Sequence, residues 1–287
     1  MMGVKTSTSE ITSETTVRAH GAEIPVLGFG TWELTGEEAR DMVGAALDLG
    51  YRYVDTAQEY GNEADVGHAI DTSDVAREDV FLTTKVWKDH FDEDRFLDSV
   101  QESLERLRVD AVDLLLLHWP VFEQTTLEET VSRLNQAKDR GFTRHIGISN
   151  FTIDFTRRAW EVTDFPLVVD QVEYHPYLDQ DPLRSELRRR DMAVTAYSPI
   201  ARGDVDDDDV IRDVAENHGK SPEQVALRWL VQQDGVNAIP KTSDEDHARD
   251  NLRIFDFELS ADEMERISGL ARPDGRHVDP DFAPDWD

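Results

Sequence analysis

Cysteine is absent from all 287 residues, which excludes disulfides, thiolate nucleophiles and thiolate-bound zinc. Lysine is nearly as scarce. Six of the 30 basic residues are Lys and 24 are Arg, set against 61 acids for a formal net charge of −31. Such a surface repels phosphate backbones and anionic headgroups, so nucleic acid and membrane are not expected partners. No apolar run approaches the ~18 to 20 residues a spanning helix needs. The N-terminal "MMGVKTSTSEITSETT" lacks the apolar stretch of a secretory signal. It is expected to be a flexible tail, residues 1–16, ahead of a single domain, residues 17–287, in a reducing cytoplasm. A glycine-rich phosphate loop is missing too. Gly28 and Gly30 are followed by Glu33 where a dinucleotide fingerprint has its third glycine, and no G-x-x-x-x-G-K-[ST] occurs. None of the nine histidines stands in a His-x-His pair, so a metal-dependent hydrolase has no ligand set and no metal is expected.

What is present is enough for a folded core, with 39% hydrophobic and 8% aromatic residues. Acid spread along the whole chain with few lysines resembles proteins adapted to high salt. There the Debye length shrinks to about 3 Å at 1 M and screens self-repulsion. The run "DVDDDDV", from Asp204 to Val210, resembles a Ca²⁺ loop only superficially, because it lacks the spaced acids, the glycine and the distal Glu. Carboxylates there suit the positive end of a helix starting at Val210.

Eight short apolar or β-branched runs alternate with amphipathic helical stretches. They are "VLGFGTW" (26–32), "YRYVDTA" (51–57), "VFLTTKVW" (80–87), "VDLLLLHW" (112–119), "HIGISN" (145–150), "LVVDQVEYH" (167–175), "AVTAYSPI" (193–200) and "VNAIPKT" (236–242). Helix ends are legible as well. Thr126 reads as an N-cap, Gly141 as a stop, and Ser260 with Glu263 as a capping box. Eight strand–helix units in this length predict an α/β fold of the (β/α)₈ TIM-barrel type, usually ~250 residues, over a doubly wound open sheet. The preceding "VRAHGAEIPV" predicts a small hairpin closing the bottom.

In such a barrel, functional groups project from the C-terminal strand ends. Those ends offer Asp55 with Tyr60 just beyond, Lys85 and Trp87, His118 and Trp119, then Ser149 and Asn150. Further round come Gln171, Tyr197 with Ser198, and Lys241 with Thr242. A lysine in a buried strand needs a carboxylate partner, and Asp55 on the neighbouring strand supplies one. A phenol beside that ammonium is expected to have its pKa pulled below the usual ≈ 10, making Tyr60 a proton donor near neutral pH. His118 can hydrogen-bond a substrate oxygen. Each of these residues alone has a bland explanation: a capping Asp55, a turn Tyr60, a snorkelling Lys85, a core His118. Their fall at consecutive strand ends, with Trp32, Trp87 and Trp119 at the same level, favours a general-acid site in an apolar pocket.

"GYRYVDTAQEYGNEADVG", "LTTKVW", "LLLLHWP", "IGISNF", "DQVEYHP", "AYSPI" and "IPKT" together resemble the successive signatures of the aldo-keto reductases, in the family's order, from about Val17 to the C-terminus. The resemblance implies a (β/α)₈ barrel that reduces aldehydes or ketones to alcohols by hydride transfer. Its catalytic tetrad would fall on Asp55, Tyr60, Lys85 and His118, with Tyr60 as the acid. It implies a nicotinamide dinucleotide bound without a Rossmann domain. Thr31 would contact the cofactor, Ser149, Asn150 and Gln171 would hold its carboxamide, Tyr197 would lie beneath the nicotinamide ring, and Ser198 with Ile200 along the pyrophosphate. Lys241, Thr242 and Ser243 would meet a 2′-phosphate, and His247, Asp250 and Asn251 the adenosine. Trp32, Trp87, Trp119 and the tail "RHVDPDFAPDWD" would shape the substrate site, the tail over the mouth or packed outside. NADP(H) is favoured through Lys241. NAD(H) is the alternative, because His247 stands where NADP-preferring members carry a forked arginine. The expected partner is a small aldehyde or ketone and the expected state a monomer. A nicotinamide-binding sensor or accessory subunit with little turnover is the rival function.

Overall fold

The structure, a computed structural model, describes residues 5–6, 11–123 and 125–287. Antiparallel strands β1 (Lys5–Thr6), β2 (Thr16–Ala19) and β3 (Ala22–Pro25) form a small sheet. The β2–β3 turn passes through His20 and Gly21, both at positive φ, so the predicted hairpin is present. Half of the expected tail, residues 1–4 and 7–10, lies outside the described residues; Lys5–Thr6 pair with Val17 and Arg18 of β2.

Eight parallel strands follow: β4 (Phe29–Gly30), β5 (Tyr53–Asp55), β6 (Phe81–Val86), β7 (Val112–Leu117), β8 (Thr143–Ser149), β9 (Leu167–Glu173), β10 (Ala193–Tyr197) and β11 (Val236–Ala238). Each pairs with the next in sequence. A parallel bridge from Leu27 to Ala238 joins the two ends, with Gly28 N–H donating to Ala238 O (2.8 Å) and Ala238 N–H to Val26 O (3.0 Å). The sheet therefore curls into the (β/α)₈ barrel. Glycine is required at the seam, since a Cβ on Gly28 would lie 2.5 Å from the Tyr53 ring. The first and last runs each yield only two or three residues of regular strand. The rest of each bends into the loops of the mouth.

The strands read as nearly continuous apolar runs because both faces are covered, one by the barrel interior and one by helices. Leu114, Leu115, Leu116 and Leu117 are all fully buried, each contributing about 1.5–3 kcal/mol of apolar transfer. Around the barrel stand α1 (Gly36–Leu49), α2 (Glu63–Thr72), α3 (Phe96–Leu107), α4 (Leu127–Asp139), α5 (Ile153–Val162), α6 (Asp181–Arg188), α7 (Asp209–His218), α8 (Pro222–Val231), α9 (Glu245–Asn251) and α10 (Ala261–Ser268). In α3, Phe96, Val100, Leu104 and Leu107 recur at helical spacing and are the apolar residues buried. The capping box at Thr126 and Glu129 starts α4, and that at Ser260 and Glu263 starts α10. Asp208 caps α7 by accepting from the N–H groups of Val210 and Ile211, the role read for the acidic run. Among the described residues no helix is long and apolar enough to cross a membrane.

Candidate active site

The loop after β5 is a single 3₁₀ turn, Gln58–Tyr60, ended by Gly61 at φ 65°, a left-handed conformation that favours glycine. Asn62 then turns back and is completely buried. Its amide donates to the carbonyls of Thr31 and Leu34 (both 2.8 Å), and its oxygen accepts from Thr56 Oγ1 (2.6 Å). This side chain ties the loop bearing Tyr60 to the loop after β4 that bears Trp32. Gln58 performs a similar task on the other side, accepting from Trp87 N–H (2.9 Å) and donating to Ser99 and Ser103 of α3.

At the floor, Lys85 is fully buried, which removes the snorkelling alternative. Its ammonium has three hydrogens and three acceptors: Asp55 Oδ1 at 2.5 Å, Thr56 O at 2.9 Å and Tyr60 OH at 3.1 Å. Because the phenol oxygen accepts from Lys85, its own proton is directed elsewhere, towards the cavity it lines. Asp55 Oδ2 accepts from Gln171 Nε2 (2.7 Å) and Tyr53 OH (3.5 Å). His118 stands edge-on to both Tyr60 (5.7 Å between ring centroids) and Trp87 (5.2 Å). Its backbone is fixed by Val86 O, which accepts its N–H, and by Asn150 Nδ2, which donates to its carbonyl.

The electrostatics correct one expectation. Burial, then the charges of Asp55 and Glu59, push the Tyr60 hydroxyl well above the ordinary 10, not below it. The ammonium is too fully committed to Asp55 to dominate the phenol. Burial also lowers the Lys85 pKa, against the raising influence of Asp55 and Glu63. Burial and the Lys85 charge push His118 well below 6.5, so its imidazole is neutral. Tyr60 is thus held protonated beside a neutral imidazole, which suits a hydrogen donor to a carbonyl oxygen.

Asp55, Tyr60 and His118 open onto a cavity of about 320 Å³, while Lys85 stays behind them and does not line it. Thr31, Trp32, Trp87, Trp119, Ser149, Asn150, Gln171, Tyr197, Ser198, Ile200 and Lys241 all line the cavity. Thr242, Ser243, His247, Asp250 and Asn251 do not; they lie on the loop after β11 and on α9. There His247 is exposed, and Arg249 is engaged by Glu245 (2.6 Å) and Asp246 of its own helix. The tail after α10 folds over the mouth. Val278 lines the cavity, while Phe282 packs edge-on against Trp119 (5.4 Å) and Trp87 (5.9 Å). Gly30, Glu33, Glu59, Pro199, Arg202 and Ile239 were missed as lining residues. Arg202 had one local signal, its place two residues after Ile200. Val278 belongs to the tail expected to shape the substrate site, although the sequence did not single it out within that tail.

The wall suits a nicotinamide dinucleotide. Ser149, Asn150 and Gln171 offer a hydroxyl and two amides at one end, and Lys241 offers a cation at the other. Between them the Tyr197 ring is fixed by its hydroxyl donating to Asn150 Oδ1 (2.7 Å). Asn150 (φ 63°), Ser198 (φ 48°), Ala201 (φ 48°) and Arg202 (φ 56°) all take left-handed backbone around this wall. Non-glycine strain of that kind concentrates at functional sites.

Comparison with known proteins agrees with this geometry. The aldo/keto reductase family model matches residues 26–272. The chain is 40% identical over 267 residues to a protein named methylglyoxal reductase DkgB of Yersinia pestis, covering 92% of this chain and 99% of that one. It is 39% identical over 268 residues to a glyoxal reductase of Bacillus subtilis, covering 93% and 96%. A crystal structure of an aldo/keto reductase from Brucella melitensis superposes with a TM-score of 0.85 at 38% identity, covering 89% of this chain and 98% of that one.

Proposed function

The chain belongs to the aldo/keto reductase family, a nicotinamide-dependent reductase of aldehydes and ketones, and we propose that it uses NADP(H) with Tyr60 as its proton donor. The observation that carries the reading is the saturated Lys85 ammonium. It fixes the Tyr60 oxygen at 3.1 Å as an acceptor and so aims the phenolic proton into the cavity.

A bound nicotinamide dinucleotide would supply the hydride. Ser149, Asn150 and Gln171 would hold its carboxamide, Tyr197 its ring, Ser198 and Ile200 its pyrophosphate, and Lys241 with Thr242 and Ser243 its 2′-phosphate. His247, Asp250 and Asn251 would hold the adenosine. Everything else is done by the chain. His118, neutral, hydrogen-bonds the substrate oxygen and orients it towards Tyr60. Tyr60 delivers its proton to that oxygen as the alcohol forms, and Lys85 stabilises the phenolate left behind, itself held by Asp55. Trp32, Trp87, Trp119 and the tail exclude water and grip the remainder of the substrate. The chain works as a monomer in the cytoplasm on small carbonyl compounds. Short dicarbonyls head the substrate panel because they appear in the names of two relatives.

The test follows absorbance of NADPH and of NADH at 340 nm with glyoxal, methylglyoxal and an aromatic aldehyde in several molar KCl. Tyr60→Phe should keep cofactor binding and lose roughly 10²–10⁴ in rate. Full activity in that variant would overturn the mechanism. Binding without turnover in the wild type would support a sensor instead. Lys241→Ala should raise the KM for NADPH and leave that for NADH unchanged; an unaltered NADPH value would remove the 2′-phosphate assignment.

A further inference from the structure

Glu173, the last residue of β9, is fully buried, yet the proton transfer at Tyr60 makes no use of it. A carboxylate without water persists only where donors match its oxygens. Here the donors come from the irregular segment beyond α10. Oε1 accepts the backbone N–H of His277 (2.8 Å), and Oε2 accepts that of Val278 (2.9 Å). His175 Nε2 stands 2.9 Å from Oε1, and the Arg276 guanidinium lies 3.9 Å from Oε2. Burial alone would raise this carboxyl, but the bonds from His175, His277 and Val278 hold it below its ordinary range.

Residues 276–287 contain no helix or strand, so side-chain anchors decide where they lie. Beyond the Glu173 bonds, Val278 enters the cavity wall and Phe282 lies edge-on to Trp87 and Trp119. The distal end is held at Asp287, whose carboxylate accepts Ile153 N–H (2.8 Å) at an exposed position. Solvent competes for that bond, whereas it does not reach Glu173.

We propose that Glu173 is a positioning residue that latches the C-terminal strap over the mouth and thereby holds Val278 and Phe282 where they grip a bulky carbonyl substrate, a grip that a small one does not need. It acts through Val278 and Phe282, without touching substrate. The inference rests on the reading that this cavity takes the carbonyl compound.

Hydrogen exchange of the full chain tests the latch directly. In the wild type the amides of the 276–287 peptide should be protected. In Glu173→Gln that protection should fall about tenfold, because one oxygen is replaced by an amide that opposes a backbone N–H. The same variant should raise the KM for a bulky aromatic aldehyde roughly tenfold. Its kcat/KM for glyoxal and its Kd for NADPH, read from tryptophan fluorescence, should stay within about twofold. Unprotected strap amides in the wild type would overturn the proposal. So would equal losses on small and bulky substrates, or no change on either. Should Glu173→Gln fail to fold, Phe282→Ala must give the size-dependent KM change with the strap amides still protected; no change there would equally refute it. A wild type with protected strap amides but no turnover would remove the proposed function and leave the latch standing.

Discussion

Replacing Asp55 by asparagine probes the arrangement on which the site depends. Lys85 is fully buried and its one carboxylate hydrogen-bond partner is Asp55, at 2.5 Å. Removing one partner of a buried pair while keeping the other charged costs about 3–5 kcal/mol. That is a large part of the ~5–15 kcal/mol that holds a typical domain together. The variant has one escape, which is to release the Lys85 proton. From an ordinary lysine value near 10.4 down to pH 7, deprotonation costs ~1.4 kcal/mol per unit, or about 4.6 kcal/mol, so it limits the loss without abolishing it. The hydrogen bonds need not be lost, because the Gln171 amide can turn to present its oxygen to the amide introduced in place of the carboxylate.

The sign of the pH dependence follows. In Asp55→Asn the unfolded chain carries a proton on Lys85 that the folded chain sheds, so stability rises with pH below the unfolded pKa. Two pH units recover at most ~2.7 kcal/mol. Urea titration at constant KCl should therefore show about 3–5 kcal/mol of destabilisation at pH 7 and distinctly less at pH 9. Adding Lys85→Met should restore most of the loss. Since both groups are out of solvent, the difference from wild type should not depend on KCl. A loss below about 1 kcal/mol, or one that grows from pH 7 to pH 9, would refute the argument that Asp55 neutralises a buried ammonium.

Two further outcomes follow from the site and the surface. Because Tyr60 is pushed well above 10 and His118 well below 6.5, both keep one protonation state between pH 6 and 9. The kcat for carbonyl reduction should be flat over that window, and a break near 6.5 would show His118 titrating normally. The net charge of −31 should make the fold stiffen with salt, with Tm rising steadily from dilute buffer to about 1 M KCl as the Debye length falls to ~3 Å. Asp206, pushed up to about 6 by burial and by Glu223, is one site of that repulsion. Equal stability at both salt levels would dismiss the charge-screening argument.

The barrel was legible in the sequence because a parallel strand covered on both faces must be apolar throughout, as "VDLLLL" is, while its helices must alternate. Local chemistry also marked the caps at Thr126 and Ser260, and the acidic run before α7. The four groups of the floor could be chosen from the sequence alone, since a barrel gathers its strand ends at one rim whatever their separation along the chain. The direction of the Tyr60 pKa could not. It depends on how many acceptors share the Lys85 ammonium and on how much water reaches the phenol, and neither is a property of residue order. The strap was legible in part. "RHVDPDFAPDWD" was expected over the mouth or packed outside, and the structure lays it over the mouth. Its contact with Glu173, more than a hundred residues earlier in the chain, had no signal in residue order. A segment without secondary structure takes its position from the donors and rings it meets, and those are brought together only when the barrel closes.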